Sequence, residues 1–421
     1  MIREAGYGPK LVREYNELNI LRFIKNEGPI SRAELAKRYK LSKAAVSEII
    51  GLLIEQGYVK EVGQGSSTRF GGRRPILLEF NPKSGFAIGL EIKRDYARVA
   101  ISDLNAKLSK LDYFTFDRGT PLKQVVKKIY SYIDAYLDIP WVKRARPIGI
   151  GVAIPGLINY RDGKIQESDT LFNWVGFPMK KTLENRYGMQ VIIENDVKAM
   201  SLGEYYFGHG KNHENMVYLW IGDGLGAGII INGELYRGVS ASAGEIGYYD
   251  VGYMLRQKEE CRYLFDGHTN FGGILSDQVL VEGAKRGLQD EPFKGMLDVE
   301  KLSVDYILKE AQNNNPLAIE LIREYGFLVG VVCINLINTL NPELIVIGGQ
   351  PLARNSILIN YVKEQIKKDI LRTPSRVVKI KKAKLKENAA LLGAVALVLE
   401  DLFYQRRLNI QKYREVFRNN N

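Results

Sequence analysis

Apolar positions recur three and four residues apart in the first sixty residues and give way to strand-like apolar runs after about residue 85. Leu35, Ala36 and Tyr39 fall on one face of a short helix, and Val46, Ile49, Ile50 and Leu53 on one face of the next. This is the spacing of a buried stripe. Ser31-Arg-Ala-Glu34 opens the first helix as a capping box, in which the Ser side chain accepts from the N–H three residues on and the Glu reaches back. A turn at Lys40-Leu41 follows, and Ser42 caps the second helix. Ser42, Lys43, Ala44 and Ser47 stay on its outer face near the N-terminal end. A recognition helix presents small, hydrogen-bonding side chains to a major groove from that position. Gly57-Tyr58-Val59, a glycine-rich loop from Gly63 to Gly72 and Arg73-Arg74-Pro75 then read as a β-wing. Arg69, Arg73 and Arg74 are its candidates for phosphate or minor-groove contact. A helix-turn-helix with a basic wing implies a double-stranded DNA partner.

Beyond Phe80-Asn81-Pro82 the pattern predicts strands at Ala87–Ile92, Ala97–Asp103 and Leu111–Phe116, with a turn near Lys93-Arg94-Asp95, and a helix over Leu122–Leu137. Buried strands at Ile148–Ile154 and Val191–Ile193 end at Pro155-Gly156 and Glu194-Asn195-Asp196. The pattern then begins again with a strand at Met216–Ile221, a glycine turn over Gly222–Gly228 and a strand at Ile229–Ile231. Helices around Asn315–Leu340, a strand at Leu344–Ile347, a turn at Gly348-Gly349 and a last helix from about Asn388 to Leu402 complete it. Strand pairs joined by tight turns in each half, interleaved with helices, argue for an α/β protein of two similar lobes. The expected divisions are 1–82 for the DNA-binding module, 83–197 for a first lobe joined by the last helix at about 388–405, and 198–387 for a second. The short link through Gly72–Lys83 implies that the module and the first lobe move together.

Bulk properties narrow the class. A chain of 421 residues exceeds a single small core. Its net charge of +12 favours a polyanionic partner. Residues 1–80 hold fourteen Lys/Arg against nine Asp/Glu. The two cysteines, Cys261 and Cys333, form no disulfide framework, which fits a reducing cytoplasm. No apolar run approaches a membrane span, and Met1-Ile-Arg-Glu lacks the apolar core of a signal peptide. A cytoplasmic location is expected, with no membrane partner.

Four motifs carry candidate chemistry, each beside a purely structural reading. Gly149-Ile-Gly-Val-Ala-Ile-Pro-Gly156 exposes backbone N–H groups at a strand end, where open α/β sheets bind ligands, or simply ends a buried strand. Glu194-Asn195-Asp196 offers a carboxylate and an amide to vicinal hydroxyls, with Asp196 also suited as a general base, or supplies an N-cap for a helix over Val197–Phe207. Gly222-Asp-Gly-Leu-Gly-Ala-Gly228 cradles phosphate or forms a hairpin turn. Its Asp223 repels phosphate unless a metal ion bridges them. Gly244-Glu245-Ile246-Gly247 places a Glu between glycines, able to accept two hydroxyls.

Taken in order, with Asn341-Pro342-Glu343 leading to Gly348-Gly349, these motifs resemble the ROK family of repressors, open reading frames and sugar kinases, from about Gly85 to Leu402. With the winged helix and its Gly71-Gly-Arg-Arg-Pro75, the chain resembles the repressor branch, of which xylose-responsive and N-acetylglucosamine-responsive regulators are members. The resemblance implies a two-lobed, actin-like ATPase fold with sugar in the cleft. By position Asp196 matches the kinases' catalytic base. Asn195, Glu245 and Asn173 match sugar-contacting positions, and Gly156 the loop that closes over the sugar.

Three departures bear on activity. The kinases' first phosphate loop, Asp-x-Gly-Gly-Thr, is Glu91-Ile92-Lys93-Arg94-Asp95 here, so side chains fill space the triphosphate needs. Asp223 replaces the usual threonine of the second loop. Tyr248 stands where many members carry a zinc-binding His, and only Cys261 lies near the expected cysteine run. Structural zinc wants about four ligands, so no metal is expected, and Tyr248 becomes a candidate sugar contact. His209 and His213 are read as solvated. Lys379–Lys386 reads as a half-exposed strand, or less readily as a second DNA contact. Tyr205, Tyr206 and Phe207 read as core, and Trp174 as a candidate for stacking on sugar. The expectation is a sugar-responsive repressor of carbohydrate-utilisation genes, released by a monosaccharide such as xylose. It would act as a homodimer or higher oligomer on a palindromic operator, with no catalytic residues and no cofactor. The alternatives are an active ATP-dependent sugar kinase with a DNA-binding appendage and a DNA-binding protein with a vestigial, ligand-free body.

Overall fold

The computed structural model describes residues 9–65, 74–222, 224–251, 261–265, 267–350, 353, 355–370, 373 and 377–403. It opens with α1 (Pro9–Glu27), β1 (Ile30–Ser31), α2 (Arg32–Tyr39) and α3 (Lys43–Glu55). The capping box forms as read: Glu34 N–H donates to Ser31 Oγ at 3.3 Å, and Ser31 N–H to Glu34 Oε2 at 2.9 Å. Ser42 Oγ caps α3 by accepting from Ala45 N–H at 3.1 Å. Val46, Ile49, Ile50 and Leu53 are buried, while Ser42, Lys43, Ala44 and Ser47 are exposed. β2 (Val59–Gln64) and β3 (Ile76–Phe80) pair antiparallel as the wing, and β1 adds a third strand on β3. Arg69 and Arg73 lie outside the described residues; Arg74 is exposed.

The rest repeats one topology twice. In the first sheet β4 (Gly85–Ile92), β5 (Tyr96–Asp103) and β6 (Leu108–Thr115) run antiparallel in sequence, and β7 (Arg146–Ile154) and β10 (Val191–Asn195) extend the other edge in parallel. The small hairpin of β8 (Leu157–Asn159) and β9 (Lys164–Glu167) lies between β7 and β10 in the chain. The strand order is β10-β7-β4-β5-β6. In the second sheet β11 (Met216–Ile221), β12 (Leu225–Ile231) and β13 (Glu234–Tyr236) make the antiparallel part, and β14 (Leu344–Gly349) and β15 (Lys379–Lys382) the parallel part. Its order read from the parallel edge is β15-β14-β11-β12-β13, the same pattern. The turns β4–β5 and β11–β12 are therefore topological equivalents.

Helices fill the layers. α4 (Leu122–Leu137) and α5 (Met179–Tyr187) build the outer core of the first sheet. α7 (Phe271–Ile274), α8 (Asp277–Gly287), α9 (Val304–Gln312), α10 (Pro316–Leu340) and α11 (Ser356–Asp369) cover the outside of the second. Two helices lie between the sheets and pack on each other: α6 (Asp196–Phe207), against β11 and β12, and α12 (Ala389–Phe403), against β4, β7 and β10. No helix among the described residues is long and apolar enough to cross a membrane.

The winged helix and the first sheet share one core. Ile20, Leu53, Tyr58, Leu78 and Phe80 cluster with Ala87, Leu104, Val395, Val398 and Phe403. The rings of Phe80 and Phe403 meet edge to face at 5.8 Å, Lys25 lies over both, and Arg22 Nε donates to the Phe403 carbonyl. Asn81 closes the junction by donating to the Gly57 carbonyl at 3.0 Å.

Some expectations need correction. The glycine motif forms the β11–β12 hairpin but is not a loop along its length: β12 starts at Leu225, so Gly226 and Gly228 are strand residues. Gly228 is required by close packing, since a Cβ there would lie 2.3 Å from Ser201 Cβ on α6. Asp223 lies outside the described residues. β6 starts at Leu108, three residues earlier than expected. Trp174 is 3 % exposed and packs edge-on to Phe177 in the first core, so it has no face for a sugar. His209 and His213 are half-buried. Cys261 and Cys333 are buried thiols.

Candidate functional site

β7 and β10 are parallel neighbours, with Ile154 opposite Asn195, so their C-terminal ends lie side by side at one edge of the sheet, the place where open α/β sheets bind ligands. Gly156 follows β7 with φ +120°, a conformation L side chains avoid, and a Cβ there would lie 2.4 Å from the Glu167 carbonyl. Asn195 Nδ2 donates to the Gly156 carbonyl at 3.1 Å, and Oδ1 accepts from Lys198 N–H at 3.1 Å. Asn195 is thus the N-cap of α6; Asp196, expected in that role, is the first helical residue. The shift follows from geometry: the cap keeps extended backbone, and the strand runs on through Asn195.

Around this point lies a set of buried charges. Glu194 is 1 % exposed; one oxygen accepts from Asn195 N–H at 3.0 Å and the other from Arg237 Nε at 2.7 Å. The Arg237 guanidinium lies 5.1 Å from the Tyr160 ring of the β8–β9 hairpin. Lys198 is buried in the first turn of α6; its Nζ donates to the Ala241 carbonyl at 2.6 Å and lies 4.0 Å from Glu245 Oε1. Burial holds the Lys198 pKa below the usual ammonium value, although Glu194 and Glu245 act against the shift. Burial pushes the Glu245 carboxyl up, opposed by Lys198 and helped by Asp196. Glu245 remains two-fifths exposed, in the loop that Lys198 and Arg237 hold through its backbone.

Asp196 is engaged by protein on both oxygens. Oδ1 accepts from Val197 N–H at 2.9 Å, and Oδ2 from Lys93 Nζ at 2.5 Å. Lys93 sits in the β4–β5 turn, and its Nζ also lies 5.3 Å from the ring centroid of Trp220 on β11. Burial alone lowers a lysine, but the carboxylates of Asp196 and Glu91 outweigh it and raise the Lys93 pKa. Glu91 is itself raised by burial, with Lys93 and Arg98 opposing. Arg98 holds Glu91 at 3.1 Å.

The structure thus brings together Gly156, Asn195, Asp196 and Glu245. Tyr248 follows Glu245, with its N–H donating to the Glu245 carbonyl at 3.3 Å and its side chain 73 % exposed. Asn173 is exposed; its Nδ2 reaches the Arg118 carbonyl at 3.4 Å, and it lines a small pocket with Arg94 of the β4–β5 turn. Sequence reading missed Lys198, Arg237 and the Lys93–Asp196 contact. A lysine in the first turn of an otherwise apolar helix, Asp196-Val-Lys-Ala-Met, was the available signal for Lys198.

Residues 87–401 match the family model described as ROK family, three-quarters of the chain. The chain belongs to the ROK family. Residues 14–69 also match the MarR family model, over the helix-turn-helix and the first wing strand. Over 397 residues this ROK chain is 29 % identical to a putative xylose repressor of Caldicellulosiruptor sp. (strain Rt8B.4), covering 93 % of this chain and 97 % of that one. Among solved structures, a ROK family transcriptional regulator described as a homolog of the E. coli MLC protein superposes with a TM-score of 0.77 at 24 % identity, covering 93 % of this chain and 97 % of that one. A ROK family glucokinase from Streptomyces griseus, solved with glucose and AMPPNP, gives 0.58 at 22 % identity, over 74 % of this chain and 99 % of that one. The regulator shares the fold through the winged helix; the kinase spans a smaller share of this chain.

Proposed function

We propose that this chain is a sugar-responsive, DNA-binding repressor of carbohydrate-utilisation genes, acting in the cytoplasm and without kinase activity. The observation that carries the reading is a pairing of features on one chain. An exposed recognition-helix N-terminus at Ser42, Lys43, Ala44 and Ser47 is joined by a shared core to a sugar-kinase fold whose base-position carboxylate, Asp196, is held by Lys93. Lys93 and Arg94 stand where a kinase phosphate loop needs bare backbone. A carboxylate held by an ammonium is a poor acceptor for a hydroxyl proton, though its remaining lone pairs still accept a hydrogen bond. The similarity to a xylose repressor supports the same reading.

In this reading the division into units falls near residues 82 and 197. The effector is a monosaccharide, with xylose the leading candidate. Its hydroxyls meet Asn195, Asp196 and Glu245 beneath the Gly156 loop, with Asn173 and Tyr248 at the rim. Two copies place their recognition helices on a palindromic operator about one helical turn apart. Arg69, Arg73 and Arg74 of the wing contact phosphate or the minor groove. Sugar binding changes the lobe angle, and the shared core carries that change to the winged helix. Moving the population from 1:99 to 99:1 requires about 5.5 kcal/mol of differential affinity, which two sites in a dimer share.

The deciding experiment uses the full-length chain, duplexes tiled across its own upstream region and a panel of monosaccharides beginning with D-xylose. The expected result is specific binding to one duplex, lost on adding one sugar, with no ADP release from ATP and any sugar of the panel. Operator binding that no sugar alters would overturn the sensor, and sustained ADP release would establish the kinase instead. Within the same assay, Arg74→Ala should weaken all sequences alike and lower the salt slope by about 1, while Lys43→Ala should change sequence preference.

A further inference from the structure

We propose that the β4–β5 hairpin is an inter-lobe tie, and that Lys93 is the positioning residue through which occupancy of Asp196 sets the lobe angle. The contact itself stands on geometry alone; its link to sugar rests on the function proposed above.

The chain passes between the two sheets at β10–α6 and at β15–α12, and one hairpin reaches both crossings. At the first, Lys93 Nζ binds Asp196 Oδ2 at 2.5 Å, on the opening residue of α6. The same ammonium lies over Trp220 of the second sheet, 5.3 Å from the ring centroid. At the second, Arg98 Nη1 donates to the Glu387 carbonyl at 2.6 Å and Nη2 to Asn388 Oδ1 at 2.5 Å, immediately before α12. Arg98 also holds Glu91 at 3.1 Å, beside Lys93 in the chain. These are mostly buried groups: the side chains of Lys93 and Asp196 are 18 % and 8 % exposed, and those of Arg98 and Glu91 12 % and 3 %. Two cations and two carboxylates balance at the root of the cleft.

Rotating the second sheet away moves Trp220 off the ammonium and strains the grip of Arg98 on the segment before α12. Such motion uncovers the Lys93–Asp196 pair, both members of which stay with the first sheet, by taking Trp220 off it, so the sugar-free state is biased to one angle. A sugar hydroxyl arriving at Asp196 competes with Lys93 for the same carboxylate and loosens the tie. The hairpin thereby reaches the second sheet with its own charged side chains.

The test measures the distance between spin labels on the full chain at Tyr113→Cys in the first lobe and Val299→Cys in the second, both exposed. Native Cys261 and Cys333 are buried, so labelling goes to the introduced sites. Without sugar, the parent should give a narrow distribution. Lys93→Met should broaden it, and Lys93→Arg, which keeps the charge, should restore most of the narrowness. An unchanged distribution in folded Lys93→Met overturns the tie. If that variant does not fold, Arg98→Met and Trp220→Leu probe the same contacts, and narrow distributions in both overturn it equally. D-xylose and D-glucose are then titrated into the parent. No response to either, with broadening still present in Lys93→Met, would remove the sugar reading while leaving the tie in place.

Discussion

The two ends of the cleft floor lie along the same edge of the first sheet and hold their charges differently. At the β7–β10 end, Glu194 is fixed by Arg237 and by backbone, and Asn195 by backbone and cap. Glu245 keeps two-fifths of its side chain in contact with solvent. At the β4–β5 end, charged side chains close on one another and on Asp196. A polar network that is fully satisfied within the protein rigidifies it, whereas a held but accessible carboxylate can serve a ligand. The first end has the character of a binding site and the second that of a structural joint, with Asp196 shared between them.

The sharpest way to break this contrast is Asp196→Ala. It leaves the Lys93 ammonium buried without its nearest carboxylate, and stranding one partner of a buried pair costs about 3–5 kcal/mol. Chemical denaturation should show that loss, and adding Lys93→Met should recover most of it. A near-neutral Asp196→Ala would mean that the β4–β5 end is no joint. Gly156→Ala acts at the other end. Forcing a Cβ against the Glu167 carbonyl at φ +120° should cost about 1–3 kcal/mol. Calorimetry should find sugar affinity reduced while the affinity of the sugar-free protein for DNA is kept. Asn195→Ala removes a helix cap worth about 1 kcal/mol and frees the Gly156 loop, so its loss in stability should be smaller than its loss in sugar affinity.

Much of the fold was legible where local chemistry decides it. The capping box at Ser31, the cap at Ser42 and the stripe of Val46, Ile49, Ile50 and Leu53 need only residues within one or two turns. The apolar runs of β4, β5, β7 and β11 were read because strands buried on both faces stay apolar throughout. α1 was missed because its sequence carries charges on every turn, and its burial depends on the remote Phe80. The glycine motif is the β11–β12 hairpin that the sequence allowed, but its turn is shorter than read, because strand glycines admitting a helix and loop glycines look alike in sequence. Asn195, Asp196 and Glu245 were singled out by their motifs, but the partners that define them were not. Lys93 lies 103 residues from Asp196, and only the strand order β10-β7-β4-β5 brings them together. Trp174 was a candidate for stacking on sugar from its type alone, although its place in a short turn beside Phe177 buries it.

The smallest predicted effect separates the two ends by pH. Burial raises the Glu245 carboxyl above its ordinary value, while Lys198 opposes the shift. A sugar hydroxyl that donates to Glu245 requires the ionised form, so affinity should hold at neutral pH and fall as the pH drops through that raised value. Stability runs the other way. A carboxyl raised in the folded state stabilises most below its unfolded pKa, and that contribution is lost as the pH rises through the folded one. The partial exposure of Glu245 keeps this stability effect slight. Glu245→Gln should therefore flatten the acid limb of sugar binding and leave the denaturation midpoint nearly unchanged between pH 5 and 7. If the acid limb persists in Glu245→Gln and disappears in Lys93→Met, the titrating contact belongs to the β4–β5 end, and the assignment of site and joint must be reversed.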